Sequence, residues 1–206
     1  MLALPGSAYI YQGEELGLPD HTELDDDLRQ DPTWWRSGYT EAGRDGCRVP
    51  LPWEAAAESF GFSPAGAARA WLPQPGWFGE YAADTQDRAP GSTLELYREL
   101  LRNRRSIFGR GGDFEWLESA HPQVIAFRRG TGVCVVNFSD EDHTISGWGS
   151  ARISSEPTGL GADALVVAAN SAAWLDAARV PAGSATPSAD GVHADSPYPH
   201  LEPTAP

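Results

Sequence analysis

From Gly13 to Pro90 the sequence shows neither the 3.6-residue period of an amphipathic helix nor the alternation of a half-buried strand. It is rich in Pro, Gly, Asp and Trp throughout. Connections inside a compact domain rarely exceed about 12–15 residues, so a stretch this long reads as a functional loop that packs on its own side chains. A short helix is expected within it, at Trp53 to Phe60. A loop of this kind needs an ordered element at each end.

Both flanks supply one. Residues 7–12 read as a buried strand, because Tyr9, Ile10 and Tyr11 are strong β-formers. Residues 92–108, STLELYRELLRNRRSIF, predict a helix. Ser92 and Glu95 fit the S-x-x-E capping box, in which each side chain satisfies an orphan amide at the helix start. Leu94, Tyr97 and Leu101 share one face, with Leu100 beside them. Arg102, Arg104 and Arg105 complement the negative end of the helix dipole, and Gly109 supplies the stop. After Gly112 the period changes to two. PQVIAFRRG (122–130) and GVCVVNFS (132–139) predict a hairpin turning around Gly130 to Gly132. Further strands near 113–118, 143–153, 164–168 and 172–176 complete a small antiparallel β domain. From Val180 onward Pro, Ala, Ser, Gly and Asp dominate, too little apolar surface to offset chain entropy, so residues 180–206 are expected to be a disordered tail.

Composition narrows the function. A net charge of -14 opposes nucleic-acid and anionic-membrane partners, which need basic patches. All 15 basic side chains are arginine, which removes Schiff-base chemistry and the P-loop lysine. Cys47 and Cys134 are too few for a disulfide framework and form no CxxC, so both read as free thiols in a reducing compartment. No signal-peptide pattern and no membrane-length apolar run of about 20 residues is evident, so a soluble cytoplasmic protein is expected.

The adjacent acids Glu14 and Glu15 raise the question of glycoside chemistry. A retaining glycosidase needs two carboxyl groups about 5–5.5 Å apart across the sugar. Neighbouring side chains point apart in a strand and do not face each other on a helix, so these two are expected to accept local hydrogen bonds instead. The run Asp25, Asp26, Asp27 lacks the glycine and glutamate of a calcium loop and reads as a solvated turn. The histidines His21, His121, His143, His193 and His200 lack metal-ligand spacing. No G-x-S-x-G is present and neither cysteine has a histidine nearby in sequence. Trp34, Trp35, Trp53, Trp71 and Trp77 fall in the loop; flat rings suit sugars, although packing is the plainer role for any one of them.

Three separated blocks then carry a resemblance: LALPGSAYIYQGEELGLP (2–19), GRDGCRVPLPW (43–53) and WLPQP (71–75). In this order they resemble the C-terminal part of an α-glucosidase of the α-amylase superfamily (glycoside hydrolase family 13), oligo-1,6-glucosidase-like and of the actinobacterial type. The resemblance implies an α/β plus all-β architecture: the last strand, long loop and last helix of a (β/α)8 TIM barrel in residues 1–109, and a small antiparallel β-sandwich in 110–179. The loop would emerge at the C-terminal face of the barrel, where active sites of that fold lie.

The resemblance also implies that the catalytic aspartate nucleophile, glutamate acid/base and second aspartate belong to strands four, five and seven, outside this chain. The expected catalytic set is therefore none, with no metal and no cofactor. It assigns Arg44 a substrate-side role, with Gly43 in place of the family's frequent serine, and gives structural roles to Asp45 and Arg48 and to Pro50 and Trp53, which would pin the loop against the barrel. The expected partner is a small α-glucoside in the full-length enzyme, with no nucleic acid and no membrane. Alternatives are a non-catalytic carbohydrate-binding or interaction module, or part of a glucosyl-transferring relative such as a trehalose synthase. One barrel strand alone leaves its edges unpaired, so residues 1–90 are expected to be poorly stable or to associate through that strand.

Overall fold

The computed structural model describes residues 1–157, 159–160 and 164–177; the expected tail, 180–206, lies outside the described residues. Among the described residues the period-two sequence after Gly112 forms eight strands: β1 (Phe114–Leu117), β2 (Val124–Arg129), β3 (Gly132–Asn137), β4 (His143–Ser146), β5 (Gly149–Ser154), β6 (Gly159–Leu160), β7 (Ala164–Val167) and β8 (Ser171–Ala177). They make two antiparallel sheets, ordered β1-β2-β3-β8-β5 and β4-β7-β6. The hairpin falls where expected, with Arg129 opposite Gly132 across a two-residue turn. The stretch expected as one strand over 143–153 divides, and its halves β4 and β5 join different sheets.

The larger sheet is buried on both faces. Val133, Val135, Ala173 and Leu175 point to one side, against Ile145, Leu165 and Val167 of the smaller sheet. Phe127, Cys134 and Trp174, which are cross-strand neighbours, point to the other, where they meet Leu2, Ala3, Ile107 and Phe108. This is why β3 reads as a nearly unbroken apolar run instead of an alternating one. Burial pushes the Cys134 thiol up to about 12, whereas Cys47 is only half-buried. In the native protein one thiol is therefore expected to react quickly with an aromatic disulfide reagent. Cys47→Ser should abolish that phase, and Cys134 should appear only on unfolding. Two fast thiols in the folded state would contradict this packing.

The predicted helix is α3 (Thr93–Phe108), behind the short helices α1 (Pro32–Arg36) and α2 (Ala83–Gln86). Ser92 Oγ accepts the Glu95 N–H at 3.3 Å, and Gly109 ends the helix at φ +70°. The capping box is only half made, because the Glu95 carboxylate turns to the Arg88 N–H at 3.0 Å. Gln86 takes up the remaining work: its Oε1 accepts the Leu94 N–H at 3.1 Å, and its Nε2 donates to the Leu16 carbonyl at 2.8 Å. Leu96, Tyr97 and Leu100 pack toward the large sheet with Ile107 and Phe108, whereas Leu101 is half exposed.

Two expectations fail locally. Residues 7–12 form no strand, and Tyr9 is 84% exposed. A strand is a paired object, and no neighbour supplies its ladder among the described residues. Trp53 to Phe60 is not a helix either; the Trp53 and Glu54 N–H groups both donate to the Phe60 carbonyl, closing a loop that ends in a tight turn at Glu58–Gly61. The long segment is nevertheless ordered. It winds through short helical turns around Leu24, Val49, Leu72 and Phe78, a small core of its own, with Trp77 packed against it.

Candidate functional site

The block GRDGCRVPLPW is held by two carboxylates that hardly touch solvent. Asp45 is fully buried and accepts from the Gln30 and Asp31 N–H groups at 2.7 and 2.8 Å. Asp31 caps α1 through the Thr33 N–H at 3.0 Å and accepts the Arg44 N–H at 3.2 Å. Arg48 bridges the pair, its Nη2 donating to Asp45 at 2.7 Å and to Asp31 at 3.1 Å. Its Nε donates to the Arg44 carbonyl at 3.1 Å.

Arg44 is thus fixed at both its N–H and its carbonyl, while its side chain is 80% exposed and lies 3.5 Å from Asp31. Gly43 is required immediately before it. Its φ is +69°, and a Cβ there would come within 2.6 Å of the Asp31 Cβ. The glycine lets the backbone close onto Asp31, so the departure from serine is built into this frame.

The Asp31 carboxyl is held well below the usual carboxylate range, first by Thr33 and then by the Arg44 N–H and the Arg48 charge. A carboxyl lowered in the folded state stabilises that state above its unfolded pKa, and the contribution fades as pH falls through the folded value. The loop is therefore expected to loosen only below about pH 4. Asp31→Asn should flatten the acid limb of a fluorescence titration that reads Trp34 and Trp35. An unchanged acid limb in that variant would assign the pH dependence elsewhere.

Arg44 borders an open cleft of about 500 Å³, whose walls include Tyr11, Glu14, Asp20, Cys47 and Phe78. It offers a cation, a phenol and two carboxyl groups, a mixed set of donors and acceptors suited to a polyhydroxylated ligand. Glu14 and Glu15 part company, as their adjacency requires. Glu14 faces this cleft, while Glu15 lines another beside Leu16, Trp53 and Arg98 and accepts the Gly13 N–H at 2.9 Å.

Of the loop tryptophans, Trp34 packs edge-on to Tyr39, and Trp77 packs on Phe78 and Tyr81. Trp35, Trp53 and Trp71 are about half exposed. The Trp53 ring is half exposed in this chain, its N–H donates to the Phe60 carbonyl, and Pro52 is the buried residue beside it. Within the run Asp25, Asp26, Asp27, Asp26 pairs with Arg29 at 3.1 Å. Among the described residues no group of three metal-ligating side chains converges, and no helix is long and apolar enough to cross a membrane.

Asp31 is the site residue that sequence reasoning passed over. The signal was local: an aspartate directly before Pro32 is an N-cap followed by proline at the first helical position.

Comparison with known proteins places these features. The family of alpha-amylase catalytic domains matches residues 1–111. A probable alpha-glucosidase of Rhizobium meliloti is 36% identical over 149 residues, 70% of this chain and 26% of that protein. A trehalose synthase/amylase of Mycobacterium tuberculosis is 32% identical over 152 residues, 68% of this chain and 22% of its own length. Among solved structures, an alpha-glucosyl transfer enzyme superposes with a TM-score of 0.72 at 28% identity, over 86% of this chain and 34% of that one. An isomaltulose synthase of Erwinia rhapontici, solved with its substrate sucrose, shares the fold with a TM-score of 0.70 at 20% identity, over 84% of this chain and 36% of its own. The chain spans about a quarter of the length of the curated relatives it matches.

Proposed function

Because the chain belongs to the family of alpha-amylase catalytic domains, we propose that residues 13–90 form one wall of the glucoside-binding cleft of a retaining α-glucosidase, with Arg44 reaching the sugar. The reading is carried by one observation: Arg44 is locked at its backbone, with a largely exposed guanidinium that borders a cleft of mixed polarity and touches only Asp31 at its Nε. A guanidinium presented this way offers forked, permanently charged donors to hydroxyls or to a catalytic carboxylate. We take the enzyme type to be oligo-1,6-glucosidase-like, from an actinobacterium, on the strength of the three sequence blocks. Two free thiols fit a cytoplasmic setting.

A retaining mechanism passes through a covalent glucosyl-enzyme and needs a facing carboxylate pair. Glu14 and Glu15 diverge into different clefts and do not provide one. The 206-residue chain is therefore expected not to hydrolyse p-nitrophenyl α-glucoside, while millimolar maltose or isomaltose should change its tryptophan fluorescence and Arg44→Ala should remove the response. Clear turnover by the purified chain would overturn the inactivity expected of it; an Arg44→Ala response equal to wild type would remove Arg44 from the sugar.

The half-exposed Trp53 and Trp71 rings favour a second reading, a sugar-binding module without turnover. In that case Trp71→Ala, and not Arg44→Ala, should abolish the response. Hydrolysis and glucosyl transfer both occur among the names of the relatives, and the fold does not choose between them.

A further inference from the structure

We propose that a third cleft, between the C-terminal half of α3, the start of the chain and β2, binds a dianionic oxyanion: a phosphate group, free or carried on a small ester. Five arginines line this cleft of about 740 Å³: Arg102, Arg104, Arg105 and Arg110 from the helix end and the residues after it, and Arg129 from β2. It shares no lining residue with the Arg44 cleft, so the two ideas stand or fall separately.

The charge in this cleft has no carboxylate partner among the described residues. The protein carries 29 acidic residues and a net charge of -14, yet none of the five arginines pairs with a carboxylate among the described residues. Arg48 and Arg98, by contrast, take two carboxylates each. Arg129 is only 4% exposed. Its Nη1 donates to the Ala3 and Leu4 carbonyls at 3.2 and 2.9 Å. Arg104 Nη2 donates to Leu4 and Gly6 at 3.0 and 2.8 Å. The shared Leu4 carbonyl brings two guanidinium groups side by side, and the Nε of each is buried without a partner. Burial, and then the Arg104 charge, disfavour the charged form of Arg129.

Magnitudes rule out the helix end as the full explanation. A helix C-terminus presents about half a negative charge, against five guanidinium groups. Backbone carbonyls orient Arg104 and Arg129 but carry no net charge. A phosphate dianion supplies the missing charge, since its oxygens accept forked guanidinium donors from several sides at once. A single carboxylate would engage one fork only.

The test is calorimetric titration of the 206-residue chain with inorganic phosphate and with glucose 6-phosphate, against chloride at matched ionic strength. Saturable binding is expected, weakening as salt rises. The rim variant Arg102→Gln/Arg105→Gln, which leaves buried Arg129 in place and so preserves the fold, should weaken it by about tenfold or more. Equal affinity for both ligands would identify free phosphate as sufficient; tighter binding of the ester would identify a phosphorylated small molecule. Absence of saturable binding for both, or binding undiminished in the rim variant, overturns the proposal.

Discussion

Phe108→Ala is expected to lower the unfolding free energy by about 3–5 kcal/mol, the range for removing a buried aromatic ring from a packed core. Phe108 is fully buried at the last turn of α3. Its ring meets Trp174 of β8 edge-on, with centroids 4.8 Å apart. The fit around it is close: a Cβ on Gly132 would come within 2.7 Å of the Phe108 ring, so β3 approaches the helix only because that residue has no side chain. Surroundings this tightly determined relax little, and the vacated volume would remain as a cavity. Denaturant unfolding followed by tryptophan fluorescence reads the loss directly, with Trp174 as a reporter at the contact. Phe108→Leu should recover much of it. A loss below about 1 kcal/mol for Phe108→Ala would mean that the helix and sheet are not joined through this residue.

The features legible in the sequence are those set by near neighbours. Ser92 and Gly109 mark the ends of α3, and the period-two runs place β2 and β3 with the correct turn. Features set by distant partners were not legible. YIY reads as a strand on propensity, but a strand exists only beside another, and the described residues give it none. Arg104 looks like one of several cations at a helix end, whereas its donors reach Leu4 and Gly6, about a hundred positions away in sequence. At the candidate site, Asp45 and Arg48 were visible through the block that contains them. Asp31 was not, because its tie to Arg44 and Arg48 depends on how the loop folds back on itself. The long loop has a local apolar core and this buried carboxylate frame, neither of which its sequence pattern displays.

That frame makes Asp45 the site residue with the largest expected effect. Asp45→Ala should destabilise the loop by about 2–6 kcal/mol, since two N–H groups each lose a buried acceptor at about 1–3 kcal/mol apiece. The loss is large because the Gln30 and Asp31 N–H groups lose their acceptor together, while Arg48 keeps only Asp31 of its two carboxylates. Each buried donor left unpaired carries its own desolvation cost. Asp45→Asn should be intermediate, because its one carbonyl oxygen can still accept but its amide group opposes the remaining donors. The network predicts strong non-additivity. With Asp45 gone, Arg48→Ala should cost far less than it does in the wild type, a coupling of about 0.5–3 kcal/mol in a double-mutant cycle. The consequence for the cleft follows from Arg48 holding the Arg44 carbonyl: Asp45→Ala should weaken any sugar response that depends on Arg44, although Asp45 itself is buried beneath the surface and touches no ligand. Additive losses in the cycle, or a sugar response untouched by Asp45→Ala, would show that the Arg44 guanidinium is presented by something other than this frame.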